Sequence, residues 1–129
     1  MSEPIIQVKN LEKTYDTGHV QVHALRGVTF DIERGEMVAI MGPSGCGKTT
    51  FLNCASGIDT VSKGQVVIDG HDLHRLDDNR RTQFRARHMG FVFQFYNLLP
   101  VLNSVENVEM PLLISGVREK EARKRALLS

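Results

Sequence analysis

Gly42-Pro43-Ser44-Gly45-Cys46-Gly47-Lys48-Thr49-Thr50 is the stretch that decides the fold. Residues 42–49 match G-x-x-x-x-G-K-[ST] without departure. Just before it, Met37-Val38-Ala39-Ile40-Met41 is a continuous apolar run of strand length. A run with no polar alternation predicts a strand buried on both faces, as in a parallel sheet. Just after it, Phe51, Leu52, Cys54, Ala55 and Ile58 recur at helical spacing, and Gly57 weakens or ends that helix. A strand, a glycine-rich turn and a helix in that order are the context in which this motif cradles phosphate. The glycines let the backbone curl until successive N–H groups point inward as an anion nest. The helix adds the partial positive charge of its N-terminus. The backbone amides from Gly45 to Thr50 are therefore the expected donors. Lys48 is the expected point charge at the β- and γ-phosphates, and the Thr49 hydroxyl the expected Mg²⁺ ligand. Cys46 reads as a small residue at a place where only the backbone matters.

Outward from the loop, Ile5 to Val8 alternates weakly and predicts a strand, and Asp16-Thr17-Gly18-His19 predicts a turn. Val28, Phe30 and Ile32 alternate with Thr29, Asp31 and Glu33, the pattern of a half-buried strand. Gly35-Glu36 then reverses the chain. Val66-Val67-Ile68 before Asp69-Gly70 predicts a strand and turn, and Phe91-Val92-Phe93 another strand. Asn103 with Glu106 fits a capping box, with the helix it starts interrupted by Pro111. Arg118 to Leu128 predicts a charged helix with Ala122, Ala126 and Leu127 on one side. Arg75 to Arg87, with five arginines and two aspartates, reads as a solvated face. His71 and His74, three apart, are a weak metal signal without carboxylate or cysteine partners.

The chain has 129 residues, 41% hydrophobic and 24% charged, which is ordinary globular composition and excludes a disordered or low-complexity class. Sixteen Lys plus Arg stand against 15 Asp plus Glu. A net charge of +1 gives no basic excess for a dedicated nucleic-acid binder, and 6% aromatics with no Trp give no stacking platform for single strands. No apolar run approaches the ~18 residues that cross a bilayer, and the N-terminus lacks the pattern of a secretory signal. Cys46 and Cys54, about 12 Å apart if both lie along one helix, exceed the reach of a disulfide and read as free thiols. The phosphate loop leaves the nucleotide open. No N-K-x-D string is present to read guanine, and no D-x-x-G follows the loop, which argues against GTP; a small-molecule kinase stays compatible.

Four strings carry a narrower resemblance: "LEKTY" at Leu11 to Tyr15, "VHALRGVTFDIERGEMVAIMGPSGCGKTT" at Val22 to Thr50, "GFVFQFYNLLPVLNSVENVEMPLL" at Gly90 to Leu113, and "SGVREKEARKRALLS" at the end. On these the chain resembles the N-terminal part of ABC transporter ATPases. Within them it is most similar to the subfamily serving lipoprotein release and macrolide or peptide export. The resemblance implies an α/β fold, the P-loop NTPase fold of the ABC ATPase type with an N-terminal antiparallel β portion. Residues 1–129 would be the N-terminal part of a single, incomplete nucleotide-binding domain. It implies ATP and Mg²⁺ as ligands. Gly42, Ser44, Gly45, Cys46, Gly47, Lys48, Thr49 and Thr50 would cradle the phosphates, Tyr15 would stack on adenine, and Val22 would lie beside it. Gln94 would join the Mg²⁺ shell or orient water. The stretch Gln94 to Pro100 would meet a membrane permease, and a second ATPase subunit would complete a homodimer, with no nucleic acid among the partners. The location implied is cytoplasmic, peripheral on the inner face of the cell membrane through the permease. Val61 departs from the proline the family often has there, which bears on loop stiffness and not on chemistry.

The family's signature string LSGGQ, a Walker B strand ending in Asp-Glu, the D-loop and the switch histidine have no match in these residues. Leu113-Ile114-Ser115-Gly116 and Val66-Val67-Ile68-Asp69 are chance likenesses in the wrong places. The expectation is weak nucleotide binding or none, no turnover by this chain alone, and an apolar edge at Val38 to Met41 that invites aggregation. Two other readings remain: another P-loop NTPase or kinase, whose catalytic acid has no evident candidate, and a non-catalytic module that binds a permease.

Overall fold

A computed structural model describes residues 3–129, and these fall into two compact units, one running to Met89 and one from Gly90 to Ser129. In the first, β1 (Ile6–Asp16) and β2 (Gln21–Ile32) form a long hairpin, followed by α1 (Lys48–Ala55), β3 (Lys63–Ile68), β4 (His71–Asp72), a 3-10 turn (Leu73–Arg75) and α2 (Asp78–His88). The four strands make one sheet in the order β2-β1-β3-β4, with every neighbouring pair antiparallel. The hairpin turn falls where Asp16-Thr17-Gly18-His19 predicts it. The Thr17 amide donates to the Val20 carbonyl at 3.1 Å, and the Asp16 carboxylate accepts from the Gly18 amide at 2.8 Å.

β1 is far longer than its weak opening alternation suggests. Val8 and Leu11 are both fully buried although three residues apart, a spacing that puts residues on opposite faces of a regular strand. The register shifts between them, Asn10 takes a left-handed φ of 48°, and its amide is satisfied by the Thr29 hydroxyl at 2.8 Å. This bulge returns Leu11 to the core face and Lys13 with it; a further register shift between Lys13 and Thr14 precedes Tyr15, which is exposed. The core so formed joins Val8, Leu11 and Leu25 to Val66, Ile68 and Leu73, with Phe51 and Cys54 from α1 and Phe84 from α2. Phe51 packs on Phe30 with ring centroids 5.2 Å apart. Each large apolar side chain buried here contributes about 1.5–3 kcal/mol, which anchors α1 to the sheet. Of the apolar positions predicted for α1, only Phe51 and Cys54 are fully buried; Leu52 and Ile58 stay exposed.

Four expectations need correction. Met37 to Met41 is not a strand: the segment is irregular, with Met37 97% and Met41 87% exposed. A strand of that kind is held by parallel neighbours on both sides, and the described residues supply only an antiparallel sheet that does not pair with it. Phe91-Val92-Phe93 is likewise irregular, since its unit contains no strand. The arginine-rich stretch is not wholly a solvated face. Arg81 donates to the Leu76 carbonyl at 3.1 Å and Arg85 to the Gly57 carbonyl at 2.7 Å, tying α2 to the core. His71 and His74 share no helical face, because His71 lies on β4 and His74 in the 3-10 turn.

The second unit is a helical pair, α3 (Ser104–Ile114) and α4 (Glu119–Leu128). The capping box at Asn103 and Glu106 is present in full. Pro111 does not interrupt α3, which continues to Ile114; the proline costs only its own bond to the Asn107 carbonyl, close to the helix end. On α4, Ala122 and Ala126 are buried as predicted, whereas Leu127 is 65% exposed. Glu109, buried on α3, meets Arg123 of α4 at 3.3 Å.

Gly64 sits where β3 crosses the β1 bulge, at φ +96°, and a Cβ there would lie 2.3 Å from the Asn10 carbonyl oxygen. Gly64→Ala is expected to destabilise the first unit by at least about 2 kcal/mol, from backbone strain plus that clash. A urea midpoint equal to the parent's would contradict it. The two cysteines are free, Cys46 exposed and Cys54 buried. Burial, and then the Asp59 charge, push the Cys54 thiol up against the lowering effect of Lys13. A thiol reagent is expected to modify Cys46 promptly and Cys54 only after denaturation. Equal rates at the two sites would refute that difference.

Candidate functional site

The phosphate loop closes by its own sequence. The Cys46 amide donates to the Pro43 carbonyl at 3.3 Å, making the first turn. Gly47, at φ +93°, is the N-cap of α1, and the first helical bond runs from the Phe51 amide to the Gly47 carbonyl at 2.8 Å. Only glycine fits at 47: a Cβ there would stand 2.8 Å from the Ala24 carbonyl oxygen of β2. A Cβ at Gly42 would meet the Cys46 sulfur at 2.7 Å, so Cys46 folds inward across the loop. Its side chain thus occupies space that the motif alone leaves unassigned. Lys48 reaches back to donate its ammonium to the Gly42 carbonyl. Residues 42–46 and Thr49 are exposed, so the loop opens to solvent. The first amides of α1 have no acceptor in the helix and are the donors an anion meets.

The loop is rooted on β2. An apolar cleft of about 200 Å³ beneath it is lined by Leu25, Val28 and Phe30 of the strand, Phe51 of α1, and Ile40 and Met41 of the approach segment. β2 also carries Val22, which pairs directly with Tyr15 of β1. Val22 and Ala24 are two residues apart on one strand, a rise of about 7 Å. The strand therefore brings three expected site elements together: Tyr15, Val22 and the phosphate loop. Gln94 lies in the second unit, within an exposed stretch that includes Phe95, Tyr96, Leu98 and Leu99. That stretch is held at its far end by Asn107. Its side chain accepts from the Leu99 amide at 2.8 Å and donates to the carbonyls of Leu99, Leu102 and Asn103.

Sequence reasoning missed Lys13, Asp59 and Asn107. Lys13 follows Leu11 on the buried face of β1, and its ammonium reaches Asp59 at 3.2 Å and the Thr60 carbonyl at 2.7 Å. Asp59 also accepts from the Tyr15 hydroxyl at 3.0 Å. Burial would raise the Asp59 carboxyl. Hydrogen bonds from Tyr15, Lys13 and the Thr60 amide, with the Lys13 charge, outweigh it and hold the carboxyl below its ordinary range. A signal existed, since Lys13 stands two residues after Leu11, but the bulge at Asn10 hid that Leu11 shares the core face with Val8.

Three comparisons with known proteins bear on the assignment. The fold and the loop define an α/β protein of the P-loop nucleotide-binding class. Solved chains it resembles include a dimeric ATP-binding cassette in a post-hydrolysis state bound to ADP and Pi. That match has a TM-score of 0.87 and 44% identity, over 95% of this chain and 54% of the other. The ABC transporter family model matches residues 25–129, and the chain belongs to that family. An uncharacterised ABC transporter ATP-binding protein of Thermotoga maritima is 48% identical over 122 residues, 95% of this chain and 52% of that protein. The lipoprotein-releasing system ATP-binding protein LolD of Saccharophagus degradans is 43% identical over 126 residues, 98% of this chain and 55% of that protein. The macrolide export ATP-binding/permease protein MacB 2 of Aeromonas hydrophila is 44% identical over 131 residues, covering 100% of this chain and 20% of that protein. The chain spans about half the length of the curated ATP-binding relatives it matches.

Acid is expected to weaken the first unit in two stages. His74 donates toward the Cys54 carbonyl at 2.8 Å, and burial chiefly lowers its pKa from the ordinary 6.5. A depressed histidine stabilises while neutral, so its contribution is lost as pH falls below 6.5 through the folded-state value. Asp59, depressed from 3.8, stabilises while ionised and loses its contribution as pH falls further. His74→Gln should remove the first stage and leave the second in a pH series of urea midpoints. A single unchanged transition would defeat the assignment.

Proposed function

We propose that this chain is the N-terminal part of the nucleotide-binding domain of an ABC transporter ATP-binding subunit, and that it holds ATP between the Tyr15–Val22 pair and the phosphate loop. The observation that carries the reading is the shared strand: β2 pairs Val22 with Tyr15 and presses its Ala24 carbonyl against Gly47. A base on the aromatic ring and phosphates on the loop then belong to one ligand. Lys48 meets the β- and γ-phosphates by exchanging the Gly42 carbonyl for phosphate oxygens. The amides of residues 45–50 supply the remaining donors, with Gly42 and Ser44 shaping the turn that presents them. The donor chemistry fits Mg²⁺, a hard cation that takes oxygen ligands. In the first unit the exposed Thr49 hydroxyl is the group that would hold it, and when bound it neutralises charge on the β- and γ-phosphates.

In this reading the subunit couples ATP binding and hydrolysis to export or lipoprotein release by a membrane permease. Gln94 to Pro100 is the surface offered to that permease, supported by the exposed Phe95, Tyr96, Leu98 and Leu99 in one short stretch. No helix among the described residues is long and apolar enough to cross a membrane. A place on the inner face of the cell membrane would then be peripheral, through the permease. A second ATPase subunit covers the nucleotide, as the dimeric state of the solved cassette suggests.

Hydrolysis needs a group that orients the attacking water, and these residues contain no match to a Walker B glutamate or a switch histidine. The 129-residue chain alone is therefore expected to bind ATP weakly and not turn it over. Phosphate release by the purified chain, with Lys48→Ala beside it, measures this. Lys48-dependent turnover at about 1 s⁻¹ or more, within the ordinary range for enzymes, would sink the expectation.

A further inference from the structure

The first unit contains a buried lysine that the phosphate site does not use. Lys13 is 7% exposed, in the middle of β1. Lysine is almost never buried unless paired, because taking an ammonium out of water costs several kcal/mol. Here its three protons find three oxygens: Asp59 Oδ1 at 3.2 Å, the Thr60 carbonyl at 2.7 Å and Thr60 Oγ1 at 3.2 Å. Asp59 is equally engaged. Oδ1 also accepts from the Thr60 amide at 2.8 Å, and Oδ2 accepts from the Tyr15 hydroxyl at 3.0 Å. The same ammonium stands 5.0 Å from the centroid of the Tyr15 ring. An ion pair of this kind adds little net stability over well-packed apolar residues, so stability alone is a weak account of it.

The arrangement restrains the Tyr15 ring at two points, its face and its hydroxyl tip. A cation over one face resists rotation of the ring about its long axis. A hydroxyl bound to a charged carboxylate fixes the tip, and such charge-assisted bonds are about twice as strong as neutral ones. Tyr15 nevertheless keeps 37% of its surface in solvent, so one face is held while part of the residue remains open. Asp59 and Thr60 lie just beyond α1, the helix that the phosphate loop starts. The pair thus ties the base-stacking ring to the far end of the phosphate-binding helix by a route separate from β2.

We propose that Lys13 and Asp59 are positioning residues for nucleotide binding, holding the Tyr15 ring so that its open face receives the purine. The proposal rests on the reading of Tyr15 as the base platform. It assigns to Lys13 and Asp59 no contact with phosphate.

Saturation-transfer difference NMR on the 129-residue chain with ATP and Mg²⁺ tests both levels, since it needs little protein and detects weak ligands. Transfer to the adenine ring protons reports base stacking, and broadening of the ATP phosphorus resonances reports the loop. Lys13→Met and Asp59→Asn are each expected to cut adenine transfer about threefold or more, the scale of one cation–π contact or charged hydrogen bond, with phosphorus broadening unchanged. Tyr15→Phe keeps the ring and loses its tether, so it should show a smaller selective loss. Tyr15→Ala should abolish adenine transfer.

If Tyr15→Ala lowers adenine transfer but Lys13→Met and Asp59→Asn do not, the positioning role is wrong and Tyr15 remains the platform. If Tyr15→Ala changes nothing, the reading of Tyr15 falls and the positioning role with it. If the two variants lose phosphorus broadening together with adenine transfer, the pair is merely structural and the proposal is overturned.

Discussion

The approach of Gly47 to the Ala24 carbonyl is the contact on which the rest of the site depends. A helix N-terminus attracts anions wherever it stands, but it binds one particular nucleotide only if something fixes it relative to the base. Here the fixing element is β2, and the absence of a side chain at 47 lets the loop lie against its backbone. Phe51 and Cys54 then bury α1 against the same sheet, so the loop cannot drift without opening the core. The glycine that the phosphate motif demands is also the glycine that the sheet demands.

The second constraint is electrostatic. Lys13, Asp59 and Tyr15 come from two segments far apart in sequence and satisfy one another in a partly buried setting. Lys13 is buried while Asp59 and Tyr15 stay partly in solvent, so removing Asp59 would leave the buried ammonium short of its charged partner. The cluster therefore stands or falls as a unit. In the proposed reading, it makes β1 part of the site and not merely a neighbour of the strand that carries it.

Much of the fold was legible because its signals are local. The phosphate loop, the helix after it, the Asp16–Gly18 turn, the strand before Asp69-Gly70 and the capping box at Asn103 all depend on residues within a few positions of one another. Long-range features were not legible. Met37 to Met41 reads as a buried strand because its side chains are apolar, yet a strand exists only where a neighbour accepts its hydrogen bonds. Arg81 and Arg85 read as solvated because they sit in a charge run. The carbonyls of Leu76 and Gly57 that capture them are set by how α2 packs.

The sequence by itself determined the phosphate-loop motif and the family. Both follow from residue identity at fixed spacing, which the backbone must honour in any context. Only the tertiary structure decided what surrounds that loop. The bulge at Asn10 turns Lys13 to the core face, and strand pairing sets Val22 opposite Tyr15. Asp59 comes from beyond α1 to join them. A one-residue change of strand register reverses every side chain that follows, so the partners of Tyr15 depend on where β1 is interrupted, and that is settled by packing across the whole sheet.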